Sequence, residues 1–401
     1  MLAGNILVSE TDRADRTGGE IAENVRIAAV EARGDHMVLL WRDHPDGRRE
    51  SRFHHFWLRG NCRCVECLHP HTWERTVDSF VIDPAIAPME QSVVEEGAAL
   101  RLIWSDGHET RLGAGWLAAK DYDGAGHLAN KRPVRTWDAA DLRAAMPEHT
   151  HDAYMADDAV LHAMLVDLRE RGLAILRGVP TREGAVMDVA RRISFLRETN
   201  FGVNFQVENK PDPNNVAYTA LELKAHTDLP NREMPPGIQF LHCHLSEAPG
   251  GESLLVDGFR AAERLRADAP EAFDRLTRHA IPFRFVDGGE DIRWRAPTIA
   301  LDPDGDLMEV RYHDALTAPL NVPFDDMTPL RDALRRFTEI LRDPAMELRL
   351  RLGPGDLIAF HNRRVLHGRG AFDPNAGRRK LEGCYVDCDD AWSRLRVLER
   401  G

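Results

Sequence analysis

The sequence predicts an α+β protein rich in strands, with a small β-rich N-terminal domain ahead of a larger domain built as a sandwich or jelly roll. Three observations lead there. At 401 residues the chain is too long for one small core. Beyond residue 235, short apolar runs follow one another between Gly, Pro and Asp turns, with two helical patterns among them. No G-x-G-x-x-G or P-loop follows a strand, which argues against a doubly wound nucleotide-binding sheet.

The elements are justified in chain order. Residues 1–20, "MLAGNILVSETDRADRTGGE", are polar, lack a secretory h-region and are expected to be a disordered end. Residues 21–120 form the first domain. Its runs "HMVLLWRD" and "ALRLIWSDGHETRLGAGWL" read as strands, the second folded at the Asp106-Gly107 turn signal. Residues 121–155 are polar, punctuated by Gly and Pro, and expected to be a linker. Residues 156–401 form the second domain. It opens on "AVLHAMLVDLRERG", whose apolar spacing is helical and ends at Gly172. "LAILRGVP" follows as a buried strand and "REGAVMDVARRISFLRE" as a helix. Strands "GIQFLHCHL", "ESLLVDGF", "IPFRFV", "TIALD", "LMEVRY", "DLIAFHN" and "LEGCYVDC" make up most of the rest.

Composition narrows the partners. Hydrophobic residues are 43% and charged residues 29%, as in a soluble globular protein. A formal net charge of −13 opposes non-specific nucleic-acid binding. No apolar run approaches the length of a membrane span. A cytoplasmic protein is expected, acting on a small molecule as a homodimer, with neither nucleic acid nor membrane as partner.

Two groups of residues carry chemistry. Three of the six cysteines, Cys62, Cys64 and Cys67, crowd into "NCRCVECLHPH". In a reducing compartment such crowding reads as a metal site. Soft thiolates favour Zn(II), and a closed tetrahedron needs one more donor; His69 and His71 are the nearest. The second group begins with "KAHTDLP". On an extended segment His226 and Asp228 share one face. "AFHNRRVLHGRGAFD" then delivers His367 from a strand. Two histidines and a carboxylate are the ligand set of non-haem Fe(II) oxygenases and leave coordination positions for co-substrate and O2. Arg379, shortly downstream, is placed to clamp a carboxylate of 2-oxoglutarate bidentately.

With these residues in view, the chain from about Ala174 to Leu398 resembles the γ-butyrobetaine hydroxylase branch of the TauD/TfdA-type Fe(II)/2-oxoglutarate dioxygenases. The stretches that carry the likeness are "NNVAYTALELKAHTDLP", "PPGIQFLHCHLSEAPGGESLLVDGF", "NRRVLHGRGAFDP" and "RRKLEGCYVDCDDAWSRLRVL". The resemblance implies a double-stranded β-helix with iron on His226, Asp228 and His367. It implies 2-oxoglutarate on Arg379, with Ser253 assisting. "WLRGNCRCVECLHP" is similar to the same family's small zinc domain, which implies that His108 on a later hairpin completes Cys62, Cys64 and Cys67.

The family oxidises trimethylammonium compounds, whose cation is recognised by aromatic faces. The positions that match its cage are Phe201, Phe205, Tyr218 and Tyr385, with Phe201 and Phe205 standing where Tyr and Trp are common. Asn215 matches one carboxylate-holding asparagine; the second falls in "RYHDALTAP", where this chain has His313 and Asp314. Arg293 or Arg295 offers another anion partner. The reaction implied couples 2-oxoglutarate oxidation to hydroxylation of an unactivated C–H, first of γ-butyrobetaine to give carnitine. Trimethyllysine and 2-trimethylaminoethylphosphonate are the alternative substrates, and a non-catalytic metal-binding module is the alternative class.

Overall fold

A computed structural model describes residues 24–123, 133–208, 221–373 and 375–400. They form two compact units that divide at Pro133. The expected disordered end, residues 1–20, lies outside the described residues.

The first unit carries two antiparallel three-stranded sheets. One is β1 (Ile27–Arg33), β2 (His36–Trp41) and β3 (Glu50–His54). The other is β4 (Pro88–Val94), β5 (Ala99–Trp104) and β6 (Glu109–Gly113). Alternate residues of both sheets, among them Met37, Leu39, Phe53, Leu100, Leu102 and Trp104, are buried in one core. The β5–β6 hairpin turns where the sequence predicts: Gly107 takes a φ of 84°, which costs a residue without Cβ nothing.

The second unit begins earlier than the sequence indicates. Residues 133–155, expected to be linker, carry a helix at Ala139–Ala144, the strand β7 (Glu148–Thr150) and the start of a helix at His151–Ala156. Asp138 opens the first helix with a capping box. Trp137 is buried and its indole donates to the Arg171 carbonyl at 2.7 Å. A polar composition hid the few apolar residues, Trp137, Ala139 and Leu142, that dock this stretch. The helix expected over "REGAVMDVARRISFLRE" is shorter, Ala185–Arg191.

Thirteen further strands follow: β8 (Leu173–Arg177), β9 (Phe205–Val207), β10 (Leu223–His226), β11 (Ile238–Ser246), β12 (Ser253–Asp257), β13 (Ala280–Asp287), β14 (Glu290–Pro297), β15 (Ile299–Leu301), β16 (Leu307–Val310), β17 (Leu348–Leu350), β18 (Leu357–His361), β19 (Val365–Arg369) and β20 (Arg379–Val386). Nine of them, with β7, build the expected jelly roll, while β13–β14 and β15–β16 form separate hairpins. One sheet has the order β7-β8-β18-β11-β20-β9 and the other β10-β19-β12-β17. Between them lies a core drawn from both, including Ile175, Cys243, Leu255, Ile358, Phe360 and Leu381. The outer face of the larger sheet, with Ile238, Phe240, Ala359 and Cys384, is covered by helices at Asp158–Glu170, Ala185–Arg191 and Cys388–Leu398. The smaller sheet is backed by helices at Gly258–Asp268, Pro270–Arg278 and Phe324–Leu341. Helices therefore cover both outer faces, and polar chemistry gathers where the two sheets meet. No described helix is long and apolar enough to cross a membrane.

Candidate active site

The antiparallel register of β10 and β19 sets His226 directly opposite His367. Opposed residues point to one face, so the two rings meet at 4.4 Å. Asp228 follows where the chain leaves the strand. Leu229 takes a left-handed φ of 52°, a strained conformation for a branched side chain and one found beside functional groups. Asp228 Oδ1 stands 3.1 Å from His226 Nε2 and 3.7 Å from His367 Nε2. The other oxygen, Oδ2, accepts hydrogen bonds from Gln239 Nε2 and the Tyr385 hydroxyl, both at 2.8 Å. His226 Nδ1 donates to the Lys224 carbonyl at 2.9 Å, which leaves Nε2 with its lone pair toward the centre. Asn362 grips the Asp228 backbone from both sides, accepting from its N–H at 2.8 Å and donating to its carbonyl at 3.1 Å.

The donor set therefore fits a divalent metal. Three ligand atoms, two nitrogens and one oxygen, converge within 4.8 Å, and their partners fix each orientation. Burial opposes ionisation of Asp228, but His367, His226 and the Tyr385 hydroxyl outweigh it and hold the carboxyl well below the usual carboxylate range. Burial also pushes the His367 imidazolium down to about 3, so the ring is neutral near pH 7 and able to ligate.

Arg379, at the start of β20, has no carboxylate within ion-pair distance among the described residues. Burial, then the charge of Arg369, lowers it to about 10. A Cβ on Gly251 would lie 3.1 Å from the Arg379 Cδ and Nε atoms, so the arginine rests on the bare backbone that leads into β12. Buried Ser253 opens that strand and pairs in register with Arg369. The rings and cations close the group: Phe372 lies 5.0 Å from the Arg369 guanidinium and 6.0 Å from that of Arg379. Sequence reading missed Arg369, although its place two residues after His367 on the same strand puts it on the same face. A pair of guanidinium groups, one buried and one half-buried, attracts an anion.

Beside this group, Phe205 and Tyr385 pack at 5.1 Å. Phe205 lies over Gly383, where a Cβ would come within 2.5 Å of its ring. The Tyr385 hydroxyl also holds Asp228, a contact that the sequence did not reveal. Phe201 packs edge-on against Phe285 of β13, at 5.6 Å, rather than against Phe205. Asn215 and Tyr218 lie outside the described residues. Asp314, expected to face substrate, begins a short 3₁₀ turn, Asp314–Leu316, and is exposed. His313 is the residue that turns inward, 4.5 Å from the His226 ring. Desolvation and the neighbouring His226 keep His313 well below the ordinary imidazole range. Arg293 and Arg295 are both exposed on β14, and Arg293 is held by Asp291. Gln239 and Asn362 also escaped the sequence reading; a glutamine inside the apolar run "GIQFL" was the available signal.

In the first unit, the β5–β6 hairpin carries His108 to the three thiols. His108 Nε2 stands 3.2 Å from Cys62 Sγ, 3.6 Å from Cys64 Sγ and 3.4 Å from Cys67 Sγ. Asp106 accepts from the His108 backbone at 3.0 Å and from Arg59 Nε at 2.9 Å, which locks the turn. Burial and the neighbouring thiols push Cys67 up to about 12, a penalty that a central cation reverses. Three sulfurs and one imidazole fit a closed zinc tetrahedron. His69 is turned elsewhere: its Nδ1 accepts from the backbone of His71 and Thr72, at 3.3 and 3.1 Å.

Two packed sheets with two histidines and a carboxylate turned inward define a jelly-roll protein of the metal-dependent oxygenase class. The profile of the taurine catabolism dioxygenase TauD, TfdA family matches residues 140–385. That of the γ-butyrobetaine hydroxylase-like N-terminal family matches residues 29–114. The chain belongs to the TauD/TfdA family. A γ-butyrobetaine dioxygenase of Pseudomonas sp. (strain AK-1) is 43% identical over 377 residues, 93% of this chain and 96% of that one. A mitochondrial trimethyllysine dioxygenase of Gallus gallus is 34% identical over 378 residues, 92% and 88% of the two chains. The γ-butyrobetaine dioxygenase of Homo sapiens is 30% identical over 375 residues, 91% and 94%.

Proposed function

We propose that this protein is an Fe(II)/2-oxoglutarate-dependent dioxygenase that hydroxylates a trimethylammonium compound, first of all γ-butyrobetaine, giving carnitine. One observation carries the class: His226, Asp228 and His367 converge on the inner side of the jelly roll, with the half-buried Arg379 cation on β20 of the other sheet. The 43% identity to a γ-butyrobetaine dioxygenase, spread over nearly the whole chain, supports the substrate.

His226, Asp228 and His367 would hold Fe(II), which when bound supplies the oxygen chemistry coupled to 2-oxoglutarate decarboxylation. Arg379, with Ser253 beside it and Arg369 behind, would bind the far carboxylate of the co-substrate and fix its direction. Phe205 and Tyr385 offer ring faces to a quaternary ammonium, with Phe201, Tyr218 and Asn215 completing the substrate contacts. The buried walls exclude water while the substrate is oriented, so the reacting carbon is presented in one pose. Cys62, Cys64, Cys67 and His108 would hold a structural zinc. A cytoplasmic homodimer belongs to the same reading, and light scattering that returns the mass of a single chain would remove the dimer.

The test is succinate release from iron-loaded protein with 2-oxoglutarate, assayed against γ-butyrobetaine, trimethyllysine and 2-trimethylaminoethylphosphonate. Turnover coupled to γ-butyrobetaine is the expected result. Preference for another member of the panel would move the substrate and keep the class. Absence of succinate with every compound would leave a non-catalytic metal-binding module.

A further inference from the structure

A second cluster of ligand-type side chains lies on the other face of the same six-stranded sheet. Gln239, which holds the Asp228 carboxylate, points from β11 toward the inner side. His242, three residues on, points to the helix-covered side along with Ile238 and Phe240. The register sets His242 directly across from Glu382 of β20. An irregularity in the pairing between Cys243 and Leu245 falls at His244, and such bulges re-aim side chains. His242, His244 and Glu382 are all buried, and one ligand atom from each lies within 4.8 Å of the others.

The partners of these groups leave a gap in the middle. Glu382 accepts from Gly184 N–H, at 3.0 Å to each oxygen, and from Asn204 Nδ2 at 2.5 Å. His244 Nε2 stands 3.2 Å from Glu382 Oε2 without the geometry of a hydrogen bond. Neither ring nitrogen of fully buried His242 makes a hydrogen bond of good geometry among the described residues, although the Val179 backbone lies close enough to one of them to favour its proton. The Oδ1 of Asn204, one amide width from its bond to Glu382, is also buried and without a partner among the described residues. Buried polar atoms are nearly always satisfied, so close-set ligand atoms with so few partners point to something that accepts them. Two imidazoles, a carboxylate and an amide oxygen are a four-donor set for a borderline divalent ion.

We propose that His242, His244 and Glu382, with Asn204 as the fourth donor, bind a divalent metal ion of the zinc type, separate from both the facial triad and the cysteine cluster. The site is closed, so the ion is structural and enters as the chain folds. It ties β11 and β20 to the segment that carries Asn204 and Phe205, and so steadies one wall of the substrate pocket from behind.

The experiment counts metals in full-length protein purified without chelators and supplied with zinc. An Asp228→Ala background removes binding at the triad. In that background the expected count is one metal higher than in Asp228→Ala/Glu382→Gln or Asp228→Ala/His242→Gln. Cobalt substitution reads the same difference by spectrum: the lost ion shows nitrogen and oxygen ligation without a thiolate charge-transfer band. If Asp228→Ala binds no metal beyond the one removed by Cys64→Ser, the proposal is overturned, even should the Glu382 and His242 variants fail to fold. An unchanged count in a folded Glu382→Gln variant overturns it equally. The function proposed above does not enter this count and stands or falls on succinate release alone.

Discussion

At the scale of single residues, the two oxygens of Asp228 divide the work. Oδ1 faces the histidines while Oδ2 is held by Gln239 and Tyr385. Groups that orient a ligand in this way typically change metal affinity by 10–100-fold. Tyr385→Phe, which keeps the ring and removes the hydroxyl, is therefore expected to weaken Fe(II) binding roughly 10-fold while leaving the KM for the quaternary ammonium near its original value. Tyr385→Ala should in addition weaken substrate binding by more than about tenfold, because a desolvated cation–π contact is worth roughly 2 kcal/mol. Titrating activity against iron at saturating substrate separates the two effects; equal iron affinity in wild type and Tyr385→Phe would dismiss the orienting role. The contrast between His313 and Asp314 makes a second expectation. Asp314 is exposed, so Asp314→Asn should move KM by no more than about twofold, the range of ordinary surface substitutions. His313→Ala, beside the His226 ring, should alter turnover far more. Steady-state kinetics of the two variants decide it, and a large effect at Asp314 alone would restore the sequence expectation.

At the scale of elements, the site depends on how closely β10 and β19 approach. A Cβ on Gly368 would lie 2.4 Å from the Leu223 carbonyl oxygen, inside contact distance. Gly368→Ala must push the strands apart just where His226 and His367 face each other. Overpacking of this kind costs about 1–3 kcal/mol. Calorimetry should record that loss together with loss of iron binding, and a variant with unaltered stability and iron affinity would contradict the registered pairing. In the first unit the β5–β6 hairpin makes the corresponding demand. Its turn is what carries His108 to thiols 46, 44 and 41 residues earlier. Cys64→Ser or His108→Ala should release a tightly held zinc and lower the thermal midpoint, because structural zinc contributes folding free energy. His69→Ala should release none; elemental analysis reporting the reverse would reassign the fourth ligand.

At the scale of the whole molecule, several buried histidines couple stability to pH. In metal-free protein His367 is pushed down to about 3 and His242 to about 4, in each case mainly by burial. Free imidazole titrates near about 6.5. Between these values the unfolded chain binds more protons than the folded one, so stability increases with pH across that window. The contribution is complete above about 6.5 and is lost as pH falls toward the folded values. The thermal midpoint of chelated protein should therefore drop between pH 7 and pH 4.5. His367→Gln should flatten part of that slope, and an unchanged slope would show that His367 is not buried in its neutral form.

The sequence by itself determined the donors. Thiols crowded at Cys62, Cys64 and Cys67, and an H-x-D at His226 and Asp228, are legible because ligand chemistry and short spacing are local properties. The turn at Asp106-Gly107 and most strands were legible for the same reason, since turn residues and apolar alternation act over a few positions. What only the tertiary structure decided is which face and which neighbour each side chain meets. It set His313 rather than Asp314 toward His226, gave the Tyr385 hydroxyl to Asp228, brought Arg369 in behind Arg379, and folded the polar stretch around Trp137 into the second unit. It also put His242 opposite Glu382, 140 positions away in the chain. Register and packing are set by contacts between distant segments, and a one-residue change of register would turn each of these side chains to the opposite face without altering a letter of the sequence.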